Sequence, residues 1–90
     1  MNILVLNAGS SSLKYQVIEM PNEHVKCVGI IERIGMDDAI FTHKKEAIQH
    51  STTLPIKNHK EGLKQIAEAL LDDKIGVIKS VNEIEAVGHR

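Results

Sequence analysis

The residues best suited to chemistry lie close together near the start of the chain, in Asn7-Ala8-Gly9-Ser10-Ser11-Ser12-Leu13-Lys14. A glycine lets backbone N–H groups approach an anion closely. Serine hydroxyls donate hydrogen bonds to phosphoryl oxygens or hold a water of a magnesium shell, and a lysine adds a positive charge. Gly9, Ser10, Ser12 and Lys14 are therefore candidate phosphate-binding residues, with Asn7 beside them.

The same segment also has a simpler interpretation, as the polar tip of a β-hairpin. It lacks the glycine spacing, the Gly-Lys-Ser/Thr ending and the following helix of a Walker A loop. The residues after it alternate between apolar and polar, which indicates a second strand. Three successive serines and a lysine that we expect to point inward favour anion binding only slightly, so both interpretations stay open.

Strands dominate the first half of the predicted fold. The apolar run Ile3–Leu6 is typical of a strand buried on both faces. We expect Gly29 to form a bulge and Lys44-Lys45-Glu46 to form a turn. The further strands are expected at residues 13–18, 25–33, 39–43 and 47–53.

A helix is predicted after Pro55, with Asn58 as its N-cap and Glu61 three residues on. One apolar stripe follows at helical spacing, and we expect it to be core: Leu63, Ile66, Ala67, Leu70 and Leu71. A returning strand is expected at Ile84–Val87. This order predicts an α/β fold with a mixed β-sheet, in which an antiparallel meander is followed by a right-handed crossover through the helix.

Composition limits the partners of the chain. Its 90 residues allow one domain at most, and 11 Lys+Arg against 12 Asp+Glu give a net charge of −1. That charge and an aromatic content of 2% argue against nucleic acid binding. The apolar run near the start is too short for a membrane span. A single cysteine, Cys27, excludes an internal disulfide framework and fits a reducing, cytoplasmic compartment.

The remaining candidates for chemistry are weaker. Cys27 lies among apolar residues and is expected to be a small buried hydrophobe. Two pairs of acids, Asp37-Asp38 and Asp72-Asp73, fall at a turn and a helix end, where solvated carboxylates are ordinary. The histidines have no metal-ligand spacing and are expected at the surface: His24, His43, His50, His59 and His89.

The Asn7–Lys14 segment, preceded by Ile3–Leu6, resembles the N-terminal signature of the acetate and butyrate kinase family, within the sugar kinase, actin and Hsp70 superfamily. Ala86–Arg90 resembles a second family segment, and Ile31–Gly35 resembles the family's third strand. The resemblance covers this whole chain but only about the first quarter of a family member. It implies that residues 1–90 are the N-terminal part of an actin-like ATPase domain, with a partial ribonuclease H-like fold. We expect the chain to be truncated at its C-terminal end.

The resemblance also implies roles for individual residues. Asn7 would lie near the transferring phosphoryl group and near Mg²⁺, directly or through water. Ser10 and Ser12 would line the phosphate and magnesium site, and Lys14 would support the loop. Arg90 would bind the carboxylate substrate and stabilise the phosphoryl group in flight, which suits a planar guanidinium.

Three functions are considered. The first is the beginning of an Mg²⁺-dependent acetate kinase that uses ATP and acts as a homodimer, with propionate or butyrate as other acceptors. The second is a phosphate- or nucleotide-binding module without catalysis, and the third is a structural domain. Because further catalytic groups of the family would lie beyond Arg90, we expect the 90-residue chain to be inactive by itself. Its exposed sheet edges should favour self-association.

Overall fold

The computed structural model describes residues 1–89. These residues form a six-stranded mixed β-sheet with one α-helix on one face. The elements run in the order β1 Asn2–Ala8, β2 Leu13–Glu19, β3 His24–Glu32, β4 Ala39–Lys45, β5 Ile48–Leu54, α1 His59–Leu71, a turn of 3₁₀-helix at Val81–Glu83, and β6 Ile84–His89. The predicted α/β class and mixed sheet are confirmed.

The sheet has the spatial order β5-β4-β3-β2-β1-β6. The first five strands pair as an antiparallel meander, whereas β6 runs parallel to β1. The connection through α1 therefore starts at one edge of the sheet and ends at the other. As a result β1 becomes an interior strand, and the loop that leaves it lies between neighbours on both sides.

The period-two pattern of β2 places alternate residues on opposite faces. Leu13, Tyr15 and Val17 are buried beneath α1, whereas Lys14 is exposed on the other face. Lys14 was expected to point inward, and that prediction is wrong. The helix covers one face of the sheet only, so the alternating polar residues occupy the open face.

Helix α1 begins as predicted but is rotated relative to the predicted stripe. Asn58 Oδ1 accepts from the Glu61 N–H at 3.0 Å, and Glu61 accepts from the Lys57 N–H at 3.2 Å. The buried face consists of Gly62, Ile66, Ala69 and Leu70. Leu63 and Leu71 were expected in the core, but they are 42% and 38% exposed.

Glycine at position 62 is what allows the rotated helix to approach the sheet closely. A Cβ there would lie 3.4 Å from Ile31 Cδ1 and 3.6 Å from Leu13 Cδ2, so the first turn of α1 packs directly over the start of β2.

Three strand details differ from prediction. Only Leu6 of the run Ile3–Leu6 is fully buried, because α1 covers a single face. The bulge lies at Lys26, where the β2–β3 register shifts between Val17 and Ile18, and not at Gly29. Lys44 and Lys45 belong to β4, and the turn to β5 is formed by Glu46 and Ala47.

A buried polar pair lies in the core beneath the helix. Tyr15 is 3% exposed and His43 is 1% exposed; their side chains are hydrogen-bonded through the Tyr15 hydroxyl and His43 Nδ1. His43 Nε2 donates to the carbonyl oxygen of Ile75 at 2.8 Å, so in the neutral ring Nδ1 must accept from the tyrosine. The prediction that the histidines all lie at the surface is therefore wrong for His43.

Gly29 makes room for this pair. It is the cross-strand partner of Tyr15, and a Cβ at this position would collide with the Tyr15 ring. The Tyr15 and His43 rings stack with centroids 5.8 Å apart. The glycine that the sequence suggested as a bulge thus serves the close approach of an aromatic ring.

Burial governs the titration of these core groups. Desolvation lowers the pKa of His43, and His50 and Lys45 lower it further, whereas the bond to the Ile75 carbonyl and the charge of Asp72 raise it. Burial also raises the pKa of Tyr15. It raises the pKa of the Cys27 thiol to about 11, which agrees with its predicted role as a buried hydrophobe.

Candidate functional site

The loop between β1 and β2 brings the predicted phosphate-binding residues together. It consists of Gly9, Ser10, Ser11 and Ser12. The Gly9 N–H donates to the Ser12 carbonyl oxygen at 2.9 Å. The side chains of Ser10 and Ser11 are exposed, and Ser12 is half-buried. A Cβ on Gly9 would lie 2.6 Å from Ser12 Oγ, so the glycine leaves space for that hydroxyl.

Asn7 and Lys14 flank this loop as direct cross-strand partners. Both are exposed on the open face of the sheet. A shallow cavity of about 260 Å³ lies there, and Gln16 and Val5 line it together with these two residues. An amide, a lysine and the serine loop therefore share one corner of the sheet, where an anionic group would meet a positive charge and several hydrogen-bond donors.

Gln16 is a member of this corner that the sequence analysis did not single out. The alternation along β2 contained the signal, because Gln16 has the same phase as Lys14. Its partner across the sheet is Val5, and Val28 lies beside it.

Two residues far away in the sequence, Ile34 and His59, form hydrogen bonds with the backbone of the loop. Ile34 N–H donates to the Ser11 carbonyl at 2.9 Å. His59 Nε2 lies 2.7 Å from the Gly9 carbonyl oxygen and 3.1 Å from that of Ser12. His59 was expected at the surface; it is half-buried, and the sequence analysis did not place it at the candidate site. No sequence pattern links positions separated by 47 and 50 residues.

A larger cavity of about 530 Å³ lies at the other end of the sheet, where β3 begins. Lys26, Lys45 and Lys79 line it together with four acidic residues. Lys45 donates to the Gly76 carbonyl at 3.0 Å. This larger cavity has both basic and acidic side chains in its lining, and none of the predicted site residues lines it. The serine loop therefore remains the candidate site.

Two further features concern the part of the chain that the structure describes. Residues 1–89 contain no group of three or more His, Cys, Asp or Glu side chains placed to hold a metal ion. Over the same residues, no helix has the length and apolar character needed to cross a membrane. The donors at the serine loop are amide and hydroxyl oxygens, which suit Mg²⁺ that keeps most of its ligands as water and phosphate oxygens.

Arg90, the predicted substrate-binding residue, lies outside the described residues. The last described residue, His89, pairs with Leu6 of β1, one position before Asn7. His89 is exposed, as expected.

The sequence profile of the Acetokinase family matches residues 2–90. Acetate kinase from Clostridium kluyveri is 52% identical to this chain over 90 residues, and that from Methanosarcina thermophila is 53% identical over 93 residues. Each alignment covers 100% of this chain and 22% of the relative. The chain thus spans about a fifth of the length of these relatives and corresponds to their N-terminal part.

Two solved structures share the fold. The Porphyromonas gingivalis acetate kinase superposes with a TM-score of 0.95 at 38% identity, over 99% of this chain and 23% of that one. A propionate kinase from Francisella tularensis superposes with a TM-score of 0.84 at 28% identity, over 99% of this chain and 22% of that one.

Proposed function

This chain belongs to the acetokinase family, and we propose that it acts as the N-terminal part of an acetate kinase. The reaction is transfer of the γ-phosphoryl group of ATP to acetate. A carboxylate oxygen of acetate forms the new P–O bond, the bond to the bridging β,γ-oxygen breaks, and the products are acetyl phosphate and ADP. We assign to these 90 residues the serine loop and the side chains beside it, which would hold the phosphate groups.

One observation supports this proposal above the others, the convergence of donors on one corner of the sheet. The Gly9–Ser12 loop lies at the tip of a hairpin whose last paired residues include Asn7 and Lys14. Phosphoryl transfer depends mostly on positioning and charge neutralisation. We assign phosphoryl contacts to Ser10, Ser12 and the loop N–H groups, and the ammonium charge to Lys14.

The proposal gives Asn7 the position nearest the metal–phosphate complex. Its amide oxygen and the hydroxyls of Ser10 and Ser12 would hold Mg²⁺ through water or directly. When bound, the metal neutralises charge on the phosphate oxygens. Arg90 is proposed to bind the acetate carboxylate, since a guanidinium holds two oxygens at once.

The proposal is tested in the full-length protein that carries residues 1–90, with acetyl phosphate trapped as its hydroxamate. We expect magnesium-dependent formation of acetyl phosphate from ATP and acetate, and none with the 90-residue chain alone. Lys14→Ala should lower kcat/KM for ATP by about 10–100-fold, because a hydrogen bond to a charged group contributes about 1.5–3 kcal/mol. Lys60→Ala, which removes an exposed lysine of α1, should leave it unchanged.

A full-length protein that binds ATP without making acetyl phosphate would refute catalysis and favour the phosphate-binding module. Propionate and butyrate belong in the same assay, because one structural relative is a propionate kinase. A faster reaction with either acid would correct the proposed acceptor without changing the reaction class.

We extend the proposal to a cytoplasmic homodimer. The cytoplasmic location agrees with Cys27, the lone cysteine of the chain, which is a free thiol. Sedimentation of the full-length protein and cell fractionation test the two statements separately. A monomer at micromolar concentration, or recovery outside the cytoplasm, would refute the corresponding one.

A further inference from the structure

His59 joins the serine loop to the helix in a way that fixes the direction of the loop's carbonyl groups. It is the first residue of α1, and Gly62 lets this turn lie close over the start of β2. The Nε2 atom is 2.7 Å from the Gly9 carbonyl oxygen and 3.1 Å from the Ser12 carbonyl oxygen. Both partners accept only, so Nε2 carries the proton and donates to both.

Most carbonyl groups of the loop are hydrogen-bonded within the protein, whereas most of its N–H groups are not. The carbonyl oxygens of Gly9, Ser11 and Ser12 all accept from groups within the protein. By contrast, the N–H groups of Ser10, Ser11 and Ser12 donate to no acceptor among residues 1–89. Three of the four loop carbonyl groups are therefore hydrogen-bonded, and three successive N–H groups are left as donors, which is the kind of donor set that binds anions.

We propose that His59 is a positioning residue for phosphoryl transfer, acting through the Gly9–Ser12 backbone. This inference rests on the proposed kinase function. A glycine- and serine-rich loop has little conformational preference of its own. Without His59, the bond from the Ile34 N–H to the Ser11 carbonyl would be, among residues 1–89, the remaining hydrogen bond between the loop and a residue outside the hairpin. A displacement of 1 Å at a reacting group can cost about 100-fold in rate.

Two substitutions separate the hydrogen bond from the bulk of the side chain. His59→Gln keeps an N–H donor near the position of Nε2, whereas His59→Leu keeps similar volume without a donor. Gln and Leu have similar helix propensities, so α1 itself is affected equally. Lys60→Leu introduces the same residue at an exposed neighbouring position of the helix and is the matched control.

The first measurement uses ¹⁵N relaxation on the 90-residue chain. Backbone order parameters at Gly9–Ser12 should be near 0.85 in wild type, His59→Gln and Lys60→Leu, and should fall below about 0.6 in His59→Leu. Order parameters of β2 and α1 report whether the chain is folded. Equal loop values in His59→Leu and wild type would overturn the inference.

The second measurement is steady-state kinetics in the full-length protein. His59→Leu should lower kcat/KM for ATP by about 10–100-fold while KM for acetate stays within about twofold. His59→Gln should restore activity to within about threefold of wild type. Equal losses in the two variants would assign the effect to packing and overturn the inference. A wild-type protein without kinase activity would refute the proposed function, whereas the order parameters would still decide whether His59 holds the loop.

Discussion

Replacing Tyr15 by phenylalanine isolates the contribution of one buried hydrogen bond. The substitution removes the hydroxyl that donates to His43 Nδ1 and keeps the ring between its neighbours. Because His43 is 1% exposed and Tyr15 is 3% exposed, water cannot replace the missing donor. The histidine nitrogen would then remain in the core without a partner.

The expected cost follows from that orphaned acceptor. Leaving a buried polar atom unsatisfied costs about 1–3 kcal/mol, more than the net value of about 1 kcal/mol for an ordinary hydrogen bond. His43 cannot turn away, since its other nitrogen is bonded to the Ile75 carbonyl at 2.8 Å. For a domain of this size, each 1 kcal/mol lowers Tm by about 4–8 °C. We therefore expect a decrease of at least about 4 °C.

Urea unfolding at pH 8, followed by circular dichroism, measures the free energy difference. Thr42→Val is the matched control, because it removes a hydroxyl whose hydrogen bond to Ser51 Oγ, 3.3 Å long, lies at the exposed side of the sheet. The control should lose less than about 0.5 kcal/mol. An equally small loss in Tyr15→Phe would refute the conclusion that the Tyr15–His43 bond is desolvated.

Three further outcomes are expected. Burial keeps the pKa of folded His43 below its usual 6.5, so the unfolded chain binds more protons just below that pH. The free energy of unfolding should therefore fall on acidification by up to about 1.4 kcal/mol per pH unit. Urea titrations should show this slope disappear in His43→Gln and persist in His50→Gln. Gly29→Ala should destabilise the chain by about 1–3 kcal/mol through overpacking against Tyr15, and a Tm equal to wild type would contradict the packing described. Asn58→Ala should cost about 1 kcal/mol by removing the N-cap, measured by the same unfolding assay, and an unchanged midpoint would show that the cap is dispensable.

Local patterns predicted the elements of this fold well, because their causes are local. The alternation along β2 and the Asn58 cap depend on neighbouring residues, and both are present. The rotation of α1 depends instead on how closely Gly62 can approach Ile31 and Leu13, which are far away in the sequence. An apolar stripe defines a face of a helix, but the packing partner decides which part of that face is buried.

The two informative histidines show where a sequence signal existed and where it did not. His43 has the same phase along β4 as Ala39 and Phe41, so period two could have placed it in the core. His59 had no such signal, because its partners Gly9 and Ser12 come from a hairpin at the other end of the described chain. The candidate residues of the hairpin could be grouped from the sequence because they are contiguous, whereas the contact of His59 with their backbone could not be predicted.

The position of β1 also has a consequence for synthesis of the chain. This strand is synthesised well before its parallel partner β6, which begins only at residue 84. At about 5–20 residues per second, roughly 4–15 s of translation separate the two strands. During that interval the edge of β1 next to the serine loop has no partner from its own sheet and is open to pairing with other nascent chains.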